Sequence, residues 1–209
     1  MRNLVLAGLA IAAAACSDTG SDTNTQNGAS ASSTNGLAAA ASFNTISDDR
    51  ERALALFTEI GKVVQHPRCV NCHPRSDRPM QGDASIPHQP HVVRGDGGMG
   101  AAGLRCTACH GAENYANVPG RPVWFLAPAE MAWQGKSLGE ICEQIKDPER
   151  NGQRTLDDIA YHVANDELVA HGWQPPAHLE AAPGDQETFG ELVQAWIEAG
   201  AHCPDPGGA

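Results

Sequence analysis

Two copies of the pattern Cys-x-x-Cys-His constrain this chain more than any other feature. One is Cys69-Val70-Asn71-Cys72-His73 and the other is Cys106-Thr107-Ala108-Cys109-His110. The spacing has a physical meaning. One helical turn separates two thiols that can add across the vinyl groups of a haem, and the adjacent His points its ring at the iron. With 7 Cys and 9 His in 209 residues, one chance copy is expected in about one such chain in a hundred. Two copies therefore predict two c-type haems, held by Cys69, Cys72, Cys106 and Cys109 as thioethers, with His73 and His110 as the proximal iron ligands.

Zinc and dithiol chemistry are the rival readings. Paired Cys-x-x-Cys motifs can make a four-cysteine zinc site, but zinc ribbons separate the pairs by about 15–20 residues. Here 33 residues lie between Cys72 and Cys106, and a zinc site has no need of a His after each pair. A thioredoxin-like dithiol calls for a βαβ pattern, which the sequence lacks.

Composition agrees with a cofactor-filled interior. Apolar residues make up 41% of the chain but aromatics only 5%, with 22 Gly and 14 Pro. That balance is lean for a self-sufficient core of this length, and two haems would fill the deficit. The net charge is −11, and the 14 Lys and Arg are scattered, which excludes binding to a phosphate backbone. An acidic electron carrier docks on a basic face of its partner, through an attraction that weakens with salt.

The N-terminal region reads as an export device. Arg2 precedes the apolar run Leu4 to Ala15, too short to span a bilayer and shaped like a signal peptide over 1–15. Ala13-Ala14-Ala15-Cys16 predicts a lipoprotein-type cleavage with lipid on Cys16; plain cleavage after Ala15 is the alternative. Ser17 after the Cys favours the outer membrane. Residues 16–46 are polar and small, a composition that predicts a disordered tether. The chain would then be periplasmic, with the membrane reached through the lipid anchor alone. Four Cys on haem and one on lipid leave Cys142 and Cys203 to pair as a disulfide.

The expected fold is mainly α with long loops, a cytochrome c-like dihaem domain over 47–205 and a tail at 206–209. Ser47 is the expected N-cap of a helix whose apolar stripe is Ala53, Leu56, Phe57, Ile60, Val63 and Val64. Little periodicity follows until Ser137-Leu138-Gly139-Glu140, a capping box. Thr155-Leu156-Asp157-Asp158 opens another helix. Phe189, Leu192, Val193, Trp196 and Ile197 mark a last one, with Gly200 at its C′ position. No strand pattern is convincing.

A second axial ligand on each iron would be His or Met. The pool is His66, His88, His91, His162, His171, His178, His202, Met80, Met99 and Met131. His88, set between Pro87 and Gln89-Pro90, and His162, at the border of a helical stripe, are preferred, with Met131 as the substitute. Arg68 and Arg105 are candidates to pair with haem propionates.

Several stretches resemble a group of small bacterial cytochromes c that carry the label isoquinoline 1-oxidoreductase subunit. These are His66-Pro67-Arg68-Cys69-Val70-Asn71-Cys72-His73-Pro74, Val93-Arg94-Gly95, Met131-Ala132-Trp133-Gln134-Gly135 and Lys146-Asp147-Pro148-Glu149-Arg150-Asn151-Gly152. The resemblance covers about residues 60–205 and implies a partner among molybdenum hydroxylases. The motifs lie 37 residues apart, too close for two separate single-haem domains, so both haems should share one domain. The expected role is a two-haem relay from a periplasmic dehydrogenase to the respiratory chain, with no catalytic residues of its own. The alternative is a peroxidase-like or ligand-sensing haem protein with one open iron.

Overall fold

The structure is a computed structural model that describes residues 36–207. The expected leader and the lipid site at Cys16 lie outside the described residues. Of the described residues 41% are helical and 6% are strand, so the protein is mainly α. Among them, no helix is long and apolar enough to cross a membrane.

Helix α1 (Asp49–Val64) is capped by Asp48, not by the expected Ser47: the Asp48 carboxylate accepts from the Glu51 amide at 2.8 Å. A carboxylate at that end also answers the positive end of the helix dipole, which a hydroxyl does less well. Helix α2 (Pro67–Val70) is a single turn that starts on a proline, a residue whose fixed φ suits the first helical position. Helices α3 (Leu138–Lys146) and α4 (Leu156–Asn165) both begin with reciprocal capping boxes, Ser137 with Glu140 and Thr155 with Asp158. Helix α5 (Gln186–Glu198) starts on Asp185, whose side chain accepts from the Thr188 amide at 2.7 Å.

Helices α1 and α4 pack against α5. Their apolar stripes meet in one cluster that includes Leu56, Phe57, Ile60, Ile159, Leu192 and Trp196. The Phe57 and Trp196 rings lie 4.9 Å apart, tilted at 52°, a favourable aromatic arrangement. Helix α3 is fastened from outside: Cys142 and Cys203 form the expected disulfide, with Cα atoms 5.6 Å apart. The tail after Cys203 lies so close to α3 that a Cβ on Gly139 would sit 2.4 Å from the Pro204 carbonyl oxygen. The disulfide closes a loop over a sequence separation of 61. Replacing both Cys142 and Cys203 by Ser is therefore expected to cost about 4 kcal/mol, measured as a lower denaturation midpoint with α-helical circular dichroism unchanged in buffer.

The folded part starts earlier than residue 47. Leu37 is completely buried, the Ala38 amide donates to the Glu59 carboxylate at 2.7 Å, and Ala40–Thr45 is a 3-10 helix. The polar composition around Leu37 predicts a tether, but a single large apolar residue suffices to draw this end of it into the core. A Cβ on Gly184 would lie 2.6 Å from Leu37 Cδ1, so the glycine makes room for that insertion.

Between α2 and α3 the chain has almost no long regular structure. Two hairpins of two-residue strands occur, β1 (Met80–Gln81) with β2 (Ile86–Pro87) and β3 (Gly100–Ala101) with β4 (Leu104–Arg105). The sequence showed no strand signal because pairs this short carry no alternation. Buried Arg94 binds the segment together. Its guanidinium donates to the carbonyls of Ala127, Pro74 and Ser76 and pairs with Asp77 at 3.6 Å. Arg94→Leu would leave those buried carbonyls without donors. We expect a loss of about 2–4 kcal/mol, with amides of 75–77 and 126–127 gaining hydrogen exchange before those of α5.

Candidate functional site

Each Cys-x-x-Cys-His motif is one turn of helix. The His73 amide donates to the Cys69 carbonyl at 3.2 Å, and the His110 amide donates to the Cys106 carbonyl at 3.0 Å. The first motif continues α2; the second is the 3-10 turn Cys106–Ala108. All four motif thiols are free. His66, just upstream, is occupied as the N-cap of α2, its Nδ1 accepting from the Arg68 amide at 3.2 Å.

The two motif histidines have matching surroundings built from unrelated sequence. His73 Nδ1 lies 2.7 Å from the Met131 carbonyl oxygen, and its ring stacks on Trp133 at 3.6 Å and 8°. His110 Nδ1 lies 2.7 Å from the Pro119 carbonyl oxygen, and its ring stacks on Trp124 at 4.3 Å and 4°. A carbonyl can only accept, so in each case Nδ1 carries the proton and Nε2 keeps its lone pair. Burial pushes His73 down to about 4, and burial lowers His110 as well. Both rings are thereby held in the neutral form, with one nitrogen fixed by a carbonyl as metal-ligating histidines are.

Each ring borders a pocket. The first is walled by the helical core, with Phe57, Ile60, Val163, Val193 and Trp196 among its lining. The second is walled by the loop segment, with Pro79, Val92, Leu104, Pro119 and Trp124. Each pocket holds a further histidine that the sequence had put forward. His162 of α4 lines the first, its Nδ1 3.2 Å from the Asp166 carboxylate. His88 lines the second, its Nδ1 3.0 Å from the Pro90 carbonyl oxygen. Arg78 steadies this loop by donating twice to the His88 carbonyl. The His88 and His110 ring centres are 6.0 Å apart, a spacing that admits one metal ion about 2 Å from a nitrogen of each ring.

The other candidates are less well placed. Met131 lines the first pocket, but its carbonyl is the one bound by His73, which places this residue on the His73 side. Met99 is exposed, with its sulfur accepting from Arg105 at 3.5 Å. His178 and Met80 border the second pocket, while His91 and His202 line neither.

The rival chemistries lack their geometry. Among the described residues no three His, Cys, Asp or Glu side chains converge as a metal-binding group, so the four thiols do not assemble a zinc site. Burial pushes the Cys69 thiol up to about 12 and the Cys72 thiol up to about 11. A reactive dithiol needs the opposite shift.

The two pockets share a wall made of Arg68, Cys72, Phe125 and His171. Four buried side-chain polar atoms along the linings have no partner among the described residues, the nitrogens Arg68 Nε, His171 Nδ1 and Trp133 Nε1 and the oxygen Asn71 Oδ1. A buried donor left unpaired costs about 1–3 kcal/mol. The lining thus combines apolar walls, neutral imidazoles, free thiols and unfilled donors. It fits a flat apolar group that binds a metal and carries a few acceptor oxygens, as haem does.

Sequence reading gave Trp124 and Trp133 no role and did not foresee the place of His171 in the shared wall. Tryptophan was the available signal: the chain has only 4, and two of them stack on motif histidines. No family model, curated protein or solved structure matches this chain.

Proposed function

We propose that this protein is an electron-transfer cytochrome that carries two c-type haems, one in each pocket. The observation that carries this reading is the repeated arrangement at His73 and His110: a Cys-x-x-Cys turn, a carbonyl on Nδ1, a stacked tryptophan and a pocket beyond. Cys69 and Cys72 would hold the first haem, Cys106 and Cys109 the second. His162 and His88 are the favoured distal ligands, since each reaches its pocket with Nδ1 already engaged. Met131 is less favoured because it sits behind His73. Bound haem iron supplies one-electron redox chemistry; the chain's own groups bind, orient and shield it.

The shared wall supports a relay, because groups bound in pockets divided by a single layer of side chains lie close together. No nucleophile paired with a base was legible in the sequence, so a relay is preferred to an independent enzyme. The donor would be a periplasmic dehydrogenase with a basic docking face, of the molybdenum hydroxylase class if the sequence resemblance holds, and the acceptor a component of the respiratory chain. The expected leader and lipidated Cys16 would place the protein in the periplasm, held at the outer membrane.

The test is expression of the full chain with a cytochrome c maturation system, followed by intact mass and optical spectra. Two covalent haems, low-spin in both oxidation states, are expected. A colourless protein sinks the reading. A high-spin band that responds to cyanide would instead favour the ligand-sensing or peroxidase-like alternative.

A further inference from the structure

The wall between the pockets contains a buried charge that its ion pair satisfies only in part. The Arg68 side chain is 2% exposed. One terminal nitrogen donates to Asp83 at 2.7 Å, while Nε is buried and unpartnered. His171 is 6% exposed, with its ring edge-on to Trp124 at 5.0 Å and its Nδ1 also unpartnered. The two residues come from elements that pack on each other, α2 and the 3-10 segment Val169–Gly172. Both line both pockets. Among the described residues the first pocket's only carboxylate is Asp166, already engaged by His162, and the second pocket's lining holds none.

Asp83 balances the charge of the guanidinium, but its buried Nε is left as a donor that calls for an acceptor. We infer that Arg68 and His171 form one carboxylate-binding subsite, which takes a propionate of a bound haem in the wall that the two pockets share. The inference rests on the two-haem reading and goes beyond it in two ways. It assigns His171 to the cofactor rather than to packing. It also makes a single fixed charge common to both redox centres. Arg68 stabilises the reduced, less positive state of each iron, so the two potentials are tied to the same residue.

The test uses the haem-loaded full chain as wild type and as Arg68→Leu, His171→Leu and Asp83→Asn. The readouts are haem count by intact mass, both midpoint potentials by spectroelectrochemical titration, and the carboxylate bands in redox-difference infrared spectra. Arg68→Leu should keep two haems, lower both potentials and shift a carboxylate band. His171→Leu should shift the same band. Asp83→Asn should not lower either potential, because it removes a negative charge.

Movement of only one potential, or of none, overturns the inference. So does an Asp83→Asn variant that reproduces Arg68→Leu, since Arg68 would then serve only its ion pair. If Arg68→Leu does not fold, His171→Leu decides: an unmoved carboxylate band with both haems present refutes the subsite. A wild type without haem defeats the functional reading itself, whereas two haems with unmoved bands defeat only this subsite.

Discussion

Replacing Cys69 and Cys72 together by Ser is expected to leave one haem instead of two and to weaken the whole helical body. The first pocket is continuous with the main core: Phe57 and Ile60 of α1, Ile159 and Val163 of α4, and Phe189, Val193 and Trp196 of α5 all line it. Emptied, it is a cavity of about 160 Å³. A fully enclosed void of that size costs about 4 kcal/mol at about 24 cal/mol per Å³, which is the upper bound for a pocket partly open to solvent, against a total stability of about 5–15 kcal/mol for a domain. Replacing Cys106 and Cys109 should act differently. The second pocket is lined mostly by the segment between α2 and α3, so its loss should loosen that segment and spare α1, α4 and α5. Intact mass gives the haem count, and thermal melts with hydrogen exchange give the asymmetry. Equal losses of melting temperature in the two double variants would contradict the placement of the first pocket inside the core.

The next largest effect is expected from the two pocket histidines. His162→Ala should turn one haem high-spin and open it to cyanide, and His88→Ala should do the same to the other. The combined variant should show two high-spin haems. The single variants should differ in their side effects. His162 stands on a capped helix that packs on α5, so its pocket should keep its shape and bind added imidazole. His88 belongs to a loop held by the Arg78 side chain and by backbone hydrogen bonds that the substitution keeps, so its loss removes in addition only the contact of Nδ1 with the Pro90 carbonyl. Should His162→Ala stay fully low-spin while Met131→Ala does not, the distal role passes to Met131.

The parts of this protein that the sequence made legible are those written in local patterns. The two motifs, the capping box at Ser137, the helix start at Thr155 and the periodic stripes of α1 and α5 each span a few residues, and the structure has all of them. The pairing of Cys142 with Cys203 followed from the roles expected of the other thiols. What stayed hidden depends on contacts across long aperiodic stretches. Trp133 lies on His73 from 60 positions away, and Arg94 reaches the Ala127 carbonyl over a separation of 33. Neither contact is encoded in the residues around it, although both stretches are among those that resemble the cytochrome group. His162 and His88 could be nominated but not assigned to a pocket, since only the fold says which motif each one meets. Leu37 was misplaced for a related reason. Composition averages over a window, and one residue in a polar window can still be the one that is buried.

The burial of Leu37 has a mechanical consequence. If the residues before Gly36 tie this protein to a surface, any pull along them arrives first at Leu37 and at the Ala38–Glu59 hydrogen bond on α1. That load passes into α1 and its partner α5. Helix α2, which carries Arg68 and packs on α1, extends this path to the wall that the two pockets share, whereas the loops around His88 and His110 lie beyond it.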